Sequence, residues 1–200
     1  GATGGVFQST QTRAEMLAHA PQGAAAGQPV WVGLQLTHAP EWHTYWKNAG
    51  DSGLPTDLRW TLPEGVSAGA IAWPTPRKFP IGNLANYGYD GTVLLPVPLT
   101  VSPGFQGSHV DVKLDASWLV CRKECIPEEA SFSLRLPVDG STAGHGAMFD
   151  AMRRSPEPYA LALFAAVGRQ LVRDQRRANR HLGRAVSLEQ FNQHCGRSAD

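Results

Sequence analysis

The sequence predicts an all-β fold, an antiparallel β-sandwich followed by a short α-helical, Arg-rich C-terminal segment. Short segments that alternate between apolar and polar residues recur between residues 30 and 136. The 21 glycines and 15 prolines of this 200-residue chain favour many short elements joined by turns. After residue 150 the alternation gives way to arginines and apolar residues at roughly helical spacing.

The first three strand-like segments carry different signals. Residues 30–37 follow a Gly-Gln-Pro turn and alternate late in the run, and residues 58–62 alternate throughout and end at a Pro-Glu-Gly turn. Residues 92–101 are β-branched and apolar, which favours a strand. Pro96 and Pro98 within this segment indicate an edge strand or a bulge, because proline cannot donate a hydrogen bond to a neighbouring strand.

The last two strand-like segments alternate most clearly. Residues 110–116 place Val110, Val112 and Leu114 on one face, and residues 131–136 alternate again until a proline ends the run. Strands at such short intervals, with no helical pattern between them, predict an immunoglobulin-like sandwich.

A change in charge and composition predicts the domain organisation. Residues 1–149 carry 9 Lys+Arg and 12 Asp+Glu, whereas residues 150–200 carry 9 Arg and 5 acids. A Gly/Ser/Thr-rich stretch between the two parts is typical of a linker. We therefore predict a β-domain over residues 1–138, a linker over 139–149, and a helical basic segment of unassigned role over 150–200.

Composition excludes some classes of function. The formal net charge of +1 argues against nucleic-acid binding by the chain as a whole, and no apolar run approaches the length of about 18 residues that a membrane span needs. The chain begins at Gly1 without a basic or apolar leader, so a signal peptide is expected to be absent or already removed. No Gly-rich phosphate loop or His-Glu-x-x-His motif is present.

Two cysteines are the strongest chemical signal in the chain. Cys121 and Cys125 are separated by three residues, and the remaining cysteine is Cys195. Four residue steps in an extended strand span about 13 Å, whereas a disulfide needs Cα atoms about 4.4–6.8 Å apart. The backbone must therefore reverse at residues 122–124. This predicts a three-residue hairpin turn that places both sulfurs at the end of a sheet.

Three interpretations of the cysteine pair are open at this point. A redox-active dithiol is favoured, because a disulfide that closes so short a loop gains only about 2 kcal/mol of entropic stabilisation. The other two are a structural disulfide and a metal site. Zinc usually needs four ligands, but Cu(I) needs only two or three soft ones. Cys195 lies in a polar, terminal context and is expected to be unpaired.

Four motifs carry a resemblance to a known family. They are Trp42-His43-Thr44-Tyr45-Trp46-Lys47-Asn48-Ala49-Gly50-Asp51-Ser52-Gly53-Leu54-Pro55, Trp60-Thr61-Leu62-Pro63-Glu64-Gly65, Phe79-Pro80-Ile81-Gly82, and Trp118-Leu119-Val120-Cys121-Arg122-Lys123-Glu124-Cys125-Ile126-Pro127-Glu128. Over roughly residues 6–138 the chain resembles the N-terminal periplasmic domain of the DsbD family of thiol:disulfide interchange proteins. It is most similar to the DsbD-like branch that includes ScsB.

The resemblance implies an immunoglobulin-like domain whose cysteine pair relays electrons in the periplasm. Family members receive electrons from a membrane-embedded domain through a thioredoxin-like domain and pass them to periplasmic thioredoxin-fold proteins. The implied exchanging pair is Cys121 and Cys125, with Cys125 making the link to partners. Phe79 matches the aromatic residue of a cap loop that covers the cysteines. His43 and Tyr45 fall where family aromatics lie beside the cysteines, and a plain packing role stays open for all three.

The sequence departs from the family in two respects. The best-studied members separate their cysteines by five residues, and the membrane-embedded and thioredoxin-like portions are not found in this sequence. We predict a periplasmic protein-disulfide reductase domain, free or part of a membrane-anchored protein, that needs no cofactor and has no assigned metal ligand. The alternatives are a copper-binding sandwich involved in copper tolerance and a non-catalytic domain that only docks a partner.

Overall fold

The computed structural model describes residues 5–153, which form eleven strands and one helix. The predicted basic segment beyond residue 153, with Cys195, lies outside the described residues. The elements are β1 (Val6–Gln8), β2 (Thr12–His19), β3 (Val30–His38), β4 (Thr44–Gly50), β5 (Asp57–Thr61), β6 (Val66–Ala68), β7 (Arg77–Ile81), β8 (Leu84–Tyr89), β9 (Thr92–Val101), β10 (His109–Cys121), β11 (Cys125–Pro137) and α1 (Gly146–Arg153).

Two antiparallel sheets face each other across the main core. One has the order β1-β2-β3-β9-β6 and the other β11-β10-β5. Alternate residues of each strand point inward, so that Val32, Leu34 and Leu36 of β3 share one buried cluster with Val110 and Val112 of β10. This alternation is the physical origin of the sandwich, because each sheet buries one apolar face against the other sheet. The predicted all-β, immunoglobulin-like fold is confirmed.

A third sheet closes one end of the sandwich and has the order β4-β8-β7. Its side chains Trp46, Tyr87 and Tyr89 join the main core, together with Trp42 from the segment before β4. An isolated antiparallel bridge from His43, the residue before β4, to Cys121 connects this sheet to the end of β10. The third sheet therefore lies beside the cysteine pair.

All five predicted strands are present, and the two prolines in β9 have a clear explanation. Pro96 and Pro98 pair with β3 as Gly33↔Pro96 and Trp31↔Pro98. On the other side of β9, strand β6 pairs only with residues 99–101. There the carbonyl groups of Pro96 and Pro98 accept hydrogen bonds from the backbone N–H groups of Ala72 and Gly69. An N–H group at position 96 or 98 would therefore point to the side of β9 where no strand pairs with these residues, so its absence in proline breaks no hydrogen bond between strands.

The segment predicted as a linker contains ordered elements. Thr142 forms an antiparallel bridge with Ala20, and helix α1 begins at Gly146. Phe149 on α1 is fully buried against Leu17 and Leu94 on the outer face of the larger sheet. The division of the chain into domains stays a prediction. No helix within residues 5–153 is long and apolar enough to cross a membrane.

Candidate functional site

The cysteine pair lies at the tip of the longest hairpin described in the chain. Strands β10 and β11 pair in continuous register from His109↔Pro137 to Cys121↔Cys125. A three-residue turn follows, in which the N–H group of Arg122 donates to the carbonyl of Glu124 at 2.9 Å. Cys121 and Cys125 are joined by a disulfide, with Cα atoms 4.1 Å apart. The predicted hairpin turn and the position of the pair at a sheet end agree with this geometry.

The two sulfur-bearing residues have different access to solvent. Cys121 is 1% exposed and packs in a small apolar cluster with Tyr45, Ala49 and Leu119. Cys125 is only half-buried and lies at the margin of the same cluster. The disulfide therefore presents one sulfur-bearing residue to solvent and holds the other inside the protein.

Strand β4 and the residue before it bring two aromatic side chains to the buried side of the pair. The backbones of His43 and Cys121 exchange two hydrogen bonds, of 3.0 Å and 2.9 Å. Directly opposed residues of an antiparallel pair project their side chains to the same face, so His43 lies next to Cys121 and across it from Cys125. Tyr45, two residues further, projects to that face as well, and its ring packs edge-on to His43 with centroids 5.1 Å apart.

The hairpin β7–β8 packs against His43. The ring of Phe79 on β7 stacks on His43, with centroids 4.5 Å apart and planes 10° from parallel. The guanidinium group of Arg77 lies 5.2 Å from the centroid of the Phe79 ring and forms an ion pair with Asp90. Phe79 is half-buried, as expected for a residue that covers other side chains while remaining at the surface. The structure therefore brings together all five residues that the sequence selected: Cys121, Cys125, Phe79, His43 and Tyr45.

Burial controls the protonation of His43. Desolvation in the closed cluster lowers the pKa of His43 to about 4, the nearby His38 lowers it further, and Asp90 opposes both effects. The pKa of His38 is also lowered, chiefly by burial, while its two ring nitrogens contact the Gly91 carbonyl and the Thr44 hydroxyl. The Nε2 atom of His43, by contrast, is buried without a hydrogen-bond partner in the described part of the chain. His43 is therefore a neutral imidazole at pH 7.

The turn between the cysteines carries a basic side chain that is held in place. Arg122 forms an ion pair with Glu41 at 3.6 Å, and its guanidinium group lies 5.3 Å from the centroid of the Trp42 ring. Both partners come from the segment that precedes His43. The two contacts therefore tie the turn of the cysteine hairpin to the segment that precedes β4.

Sequence reasoning missed the residues that support Tyr45. The amide oxygen of Asn86 accepts hydrogen bonds from the backbone N–H and the hydroxyl of Ser52, both at 3.0 Å. The carboxylate of Asp51 accepts one from the backbone N–H of Ala85 at 2.7 Å. These bonds fix the turn that follows β4, and the turn lies against the ring of Tyr45. The sequence Asp51-Ser52-Gly53 is typical of a turn, but the residues of β8 that bond to this turn cannot be predicted from the spacing of residues in the sequence.

An exposed apolar groove lies beside the cysteine hairpin. It has a volume of about 460 Å³ and runs between Leu54 and Pro55 on one side and Trp118 and Pro127 on the other. Leu54 is 47% exposed, which is high for a large apolar side chain. Within residues 5–153 no cluster of three or more His, Cys, Asp or Glu side chains could hold a metal ion.

Comparison with known proteins places the chain in a family. Residues 13–137 match the family model of the N-terminal part of the thiol:disulfide interchange protein DsbD. Among solved structures, the N-terminal periplasmic domain of ScsB from Proteus mirabilis matches with a TM-score of 0.55 and 20% sequence identity. That match covers 76% of this chain and 58% of the Proteus mirabilis chain, so this chain spans well under two thirds of its length. A search of the curated proteins found no match. Because the family model covers more than half of the sequence, including both cysteines of the hairpin, the chain belongs to the family of DsbD N-terminal domains.

Proposed function

We propose that this chain is a periplasmic thiol:disulfide interchange module that relays electrons through Cys121 and Cys125 to thioredoxin-fold proteins. The observation that carries the proposal is the disulfide at the hairpin tip, with Cys125 half-buried and Cys121 enclosed. A half-buried sulfur can meet a partner, and the enclosed one can then complete the exchange. Membership of the DsbD N-terminal family supports the same activity.

The exchange proceeds in two displacements. In the reduced chain, the Cys125 thiolate attacks one sulfur of the partner's disulfide, and the partner's other sulfur leaves as a thiolate. Cys121 then loses its proton and attacks Sγ of Cys125. The Cys121–Cys125 bond forms again, and the electron pair of the mixed disulfide leaves on the partner's sulfur. Two electrons have passed to the partner, so the reaction needs no bound cofactor. A membrane-embedded donor would reduce the pair again by the reverse steps.

The direct test of this function is a single round of electron transfer. Reduced protein carrying Cys195→Ala is mixed with an oxidised periplasmic thioredoxin-fold protein, and free thiols on both proteins are counted by alkylation and mass spectrometry. We expect two thiols to disappear from this chain and two to appear on the partner. The double variant Cys121→Ala/Cys125→Ala should transfer nothing. Equal transfer by the double variant would disprove the assignment of the pair.

Phe79→Ala is expected to expose the reduced cysteines. We propose that Phe79 acts as a cap, because its ring covers His43 on the side of the cluster that faces the β7–β8 hairpin. Its removal should speed alkylation of the reduced pair by iodoacetamide, while the free energy of unfolding falls by no more than about 1–2 kcal/mol, since Phe79 is not fully buried.

Ile81→Ala is the matched control for the cap. Ile81 lies at the end of the same strand, is 39% exposed, and pairs with Leu84 where the β7–β8 hairpin turns. Its replacement should leave the alkylation rate unchanged. A large stability loss in Phe79→Ala with unchanged alkylation would instead identify Phe79 as an ordinary packing residue.

Reduction of the disulfide is expected to leave the fold intact. Strands β10 and β11 remain joined by a three-residue turn and by the other pairs of their continuous register. The disulfide closes a very short loop and contributes only about 2 kcal/mol in the entropy model. Dithiothreitol should therefore remove the disulfide while the melting temperature falls by only a few degrees. Unfolding on reduction would favour a structural role for the pair.

A further inference from the structure

His43 has a position and a neutral protonation state that packing alone does not require. It is 5% exposed, its backbone N–H and carbonyl groups both bond to the backbone of Cys121, and its ring packs against Phe79 and Tyr45. Burying a polar nitrogen without a partner is unfavourable, yet Nε2 of His43 has none among residues 5–153. The described disulfide form offers that nitrogen no proton donor. Reduction would create a thiol at Cys121, the residue directly opposite His43 in the antiparallel bridge.

The second displacement of the proposed exchange requires a base. Cys121 must lose a proton before its sulfur can attack Cys125, because only the thiolate is a good nucleophile. Cys121 is 1% exposed, so burial raises the cost of its thiolate and limits access of water or hydroxide. A base held beside Cys121 would remove this obstacle.

We propose that His43 is that base, an inference that rests on the proposed function. As Cys121 Sγ attacks Cys125 Sγ in the mixed disulfide, the thiol proton passes to the free ring nitrogen of His43. The S–S bond of the pair forms, and the bond to the partner breaks with its electron pair leaving on the partner's sulfur. The proton then leaves His43 for solvent or for the partner's thiolate when the cap opens. When the pair is reduced, His43 takes up a proton from solvent or the partner and delivers it to the departing Cys121 thiolate.

The surroundings of His43 agree with this role. At pH 7 the ring is neutral, because burial holds its pKa far below neutral in the disulfide form. A thiolate forming at Cys121 would raise that pKa, since opposite charges favour the protonated ring. The titratable and charged groups around the ring come from five strands and one turn. They are Tyr45, His38, Asp90 in the turn after β8, Arg77 beyond the Phe79 ring, Cys121 and Cys125.

The test separates the two displacements with glutathione disulfide as the oxidant. Reduced protein in the Cys195→Ala background is mixed with glutathione disulfide, quenched with acid at set times, and weighed by mass spectrometry. The adduct of glutathione with Cys125 reports the first displacement, and its loss with formation of the internal disulfide reports the second. His43→Phe keeps an aromatic ring beneath Phe79 but carries no nitrogen. His43→Gln can accept a hydrogen bond but cannot take the proton, and it serves if the first variant does not fold.

In both variants we expect the glutathione adduct to accumulate at pH 7, with its resolution slowed at least about tenfold. In the variants, the rate at which the adduct converts to the internal disulfide should rise in proportion to hydroxide concentration. In the protein that retains His43, this rate should depend only weakly on pH between 6 and 8. The matched control is His109→Phe, which removes an exposed histidine at the opposite end of β10 from Cys121 and should leave both rates unchanged.

Equal resolution rates and equal pH profiles in the protein with and without His43 would overturn the inference. In that case the proposed function would still stand, provided that the adduct forms and resolves. Failure of the unmodified protein to form any adduct or internal disulfide would instead count against the proposed function itself.

Discussion

Replacing Cys121 by alanine is expected to trap a covalent complex with a thioredoxin-fold partner, whereas replacing Cys125 should trap none. The half-buried Cys125 is the residue that can reach a partner's disulfide, and Cys121 is enclosed by Tyr45 and Leu119. Without Cys121 no thiol in the hairpin can complete the exchange, and alkylation of the thiolate released on the partner then prevents reversal, so the complex is trapped. The expected difference is nearly all-or-none.

The trapping experiment is read on non-reducing gels after the free thiols are alkylated. Both variants are made in the Cys195→Ala background, so that each carries a single thiol. The complex formed by Cys121→Ala should disappear on addition of dithiothreitol. Trapping through Cys121 alone would reverse the assigned roles of the two cysteines. Trapping through neither, with a partner that accepts electrons from the unmodified protein, would count against the relay.

Acidification is expected to destabilise the fold through His43. Its pKa is lowered from 6.5 to about 4 in the folded protein, so between these values the unfolded chain binds a proton that the folded chain does not. Stability is therefore full above pH 6.5 and is lost as the pH falls toward 4. The free energy of unfolding should fall by about 2 kcal/mol between pH 7 and pH 5 from this residue, a large share of the stability of a single domain.

Urea unfolding at pH 7 and pH 5 measures this effect. His38, whose pKa is also lowered by burial, acts in the same direction, so the informative quantity is the difference between the protein and its variants. His43→Phe should lose about 2 kcal/mol of the pH dependence, and the exposed control His109→Phe should lose none. An identical pH dependence in His43→Phe would show that His43 does not resist protonation in the fold.

The strongly alternating strands could be predicted from sequence alone. Val110, Val112 and Leu114 repeat at every second position because one face of β10 is buried against the larger sheet. The same period is present in β2, where Ala14, Met16 and Ala18 point inward. That strand was nevertheless missed, because small residues carry a weak apolar signal.

The third sheet and the helix could not be predicted by the same means. Strand β4 pairs irregularly with β8, and its register shifts between Tyr45 and Gly50, so no single period describes it. Helix α1 begins at the end of a Gly-rich stretch whose composition is typical of a linker. Its position depends on the burial of Phe149 against β2 and β9, a contact between distant parts of the chain.

The candidate site also has features that the sequence predicts and features that depend on packing between distant residues. The spacing of Cys121 and Cys125 forces a chain reversal, so their hairpin follows from covalent geometry. The stacking of Phe79 on His43 joins residues on different strands, and only the family resemblance suggested that these side chains lie near the pair. The unpartnered nitrogen of His43 has no sequence signal, because it depends on the packing of every neighbour around the ring.

The reduction potential of the Cys121–Cys125 couple is the most direct test of the central claim. The Cys195→Ala protein is equilibrated in glutathione buffers of graded composition, quenched with acid, alkylated and weighed, so that the oxidised fraction is read for the pair alone. A relay must exchange with other dithiols, and known exchange proteins lie between about −120 and −270 mV. We expect a two-electron transition within this range. A potential below about −300 mV, typical of structural disulfides, would contradict the relay.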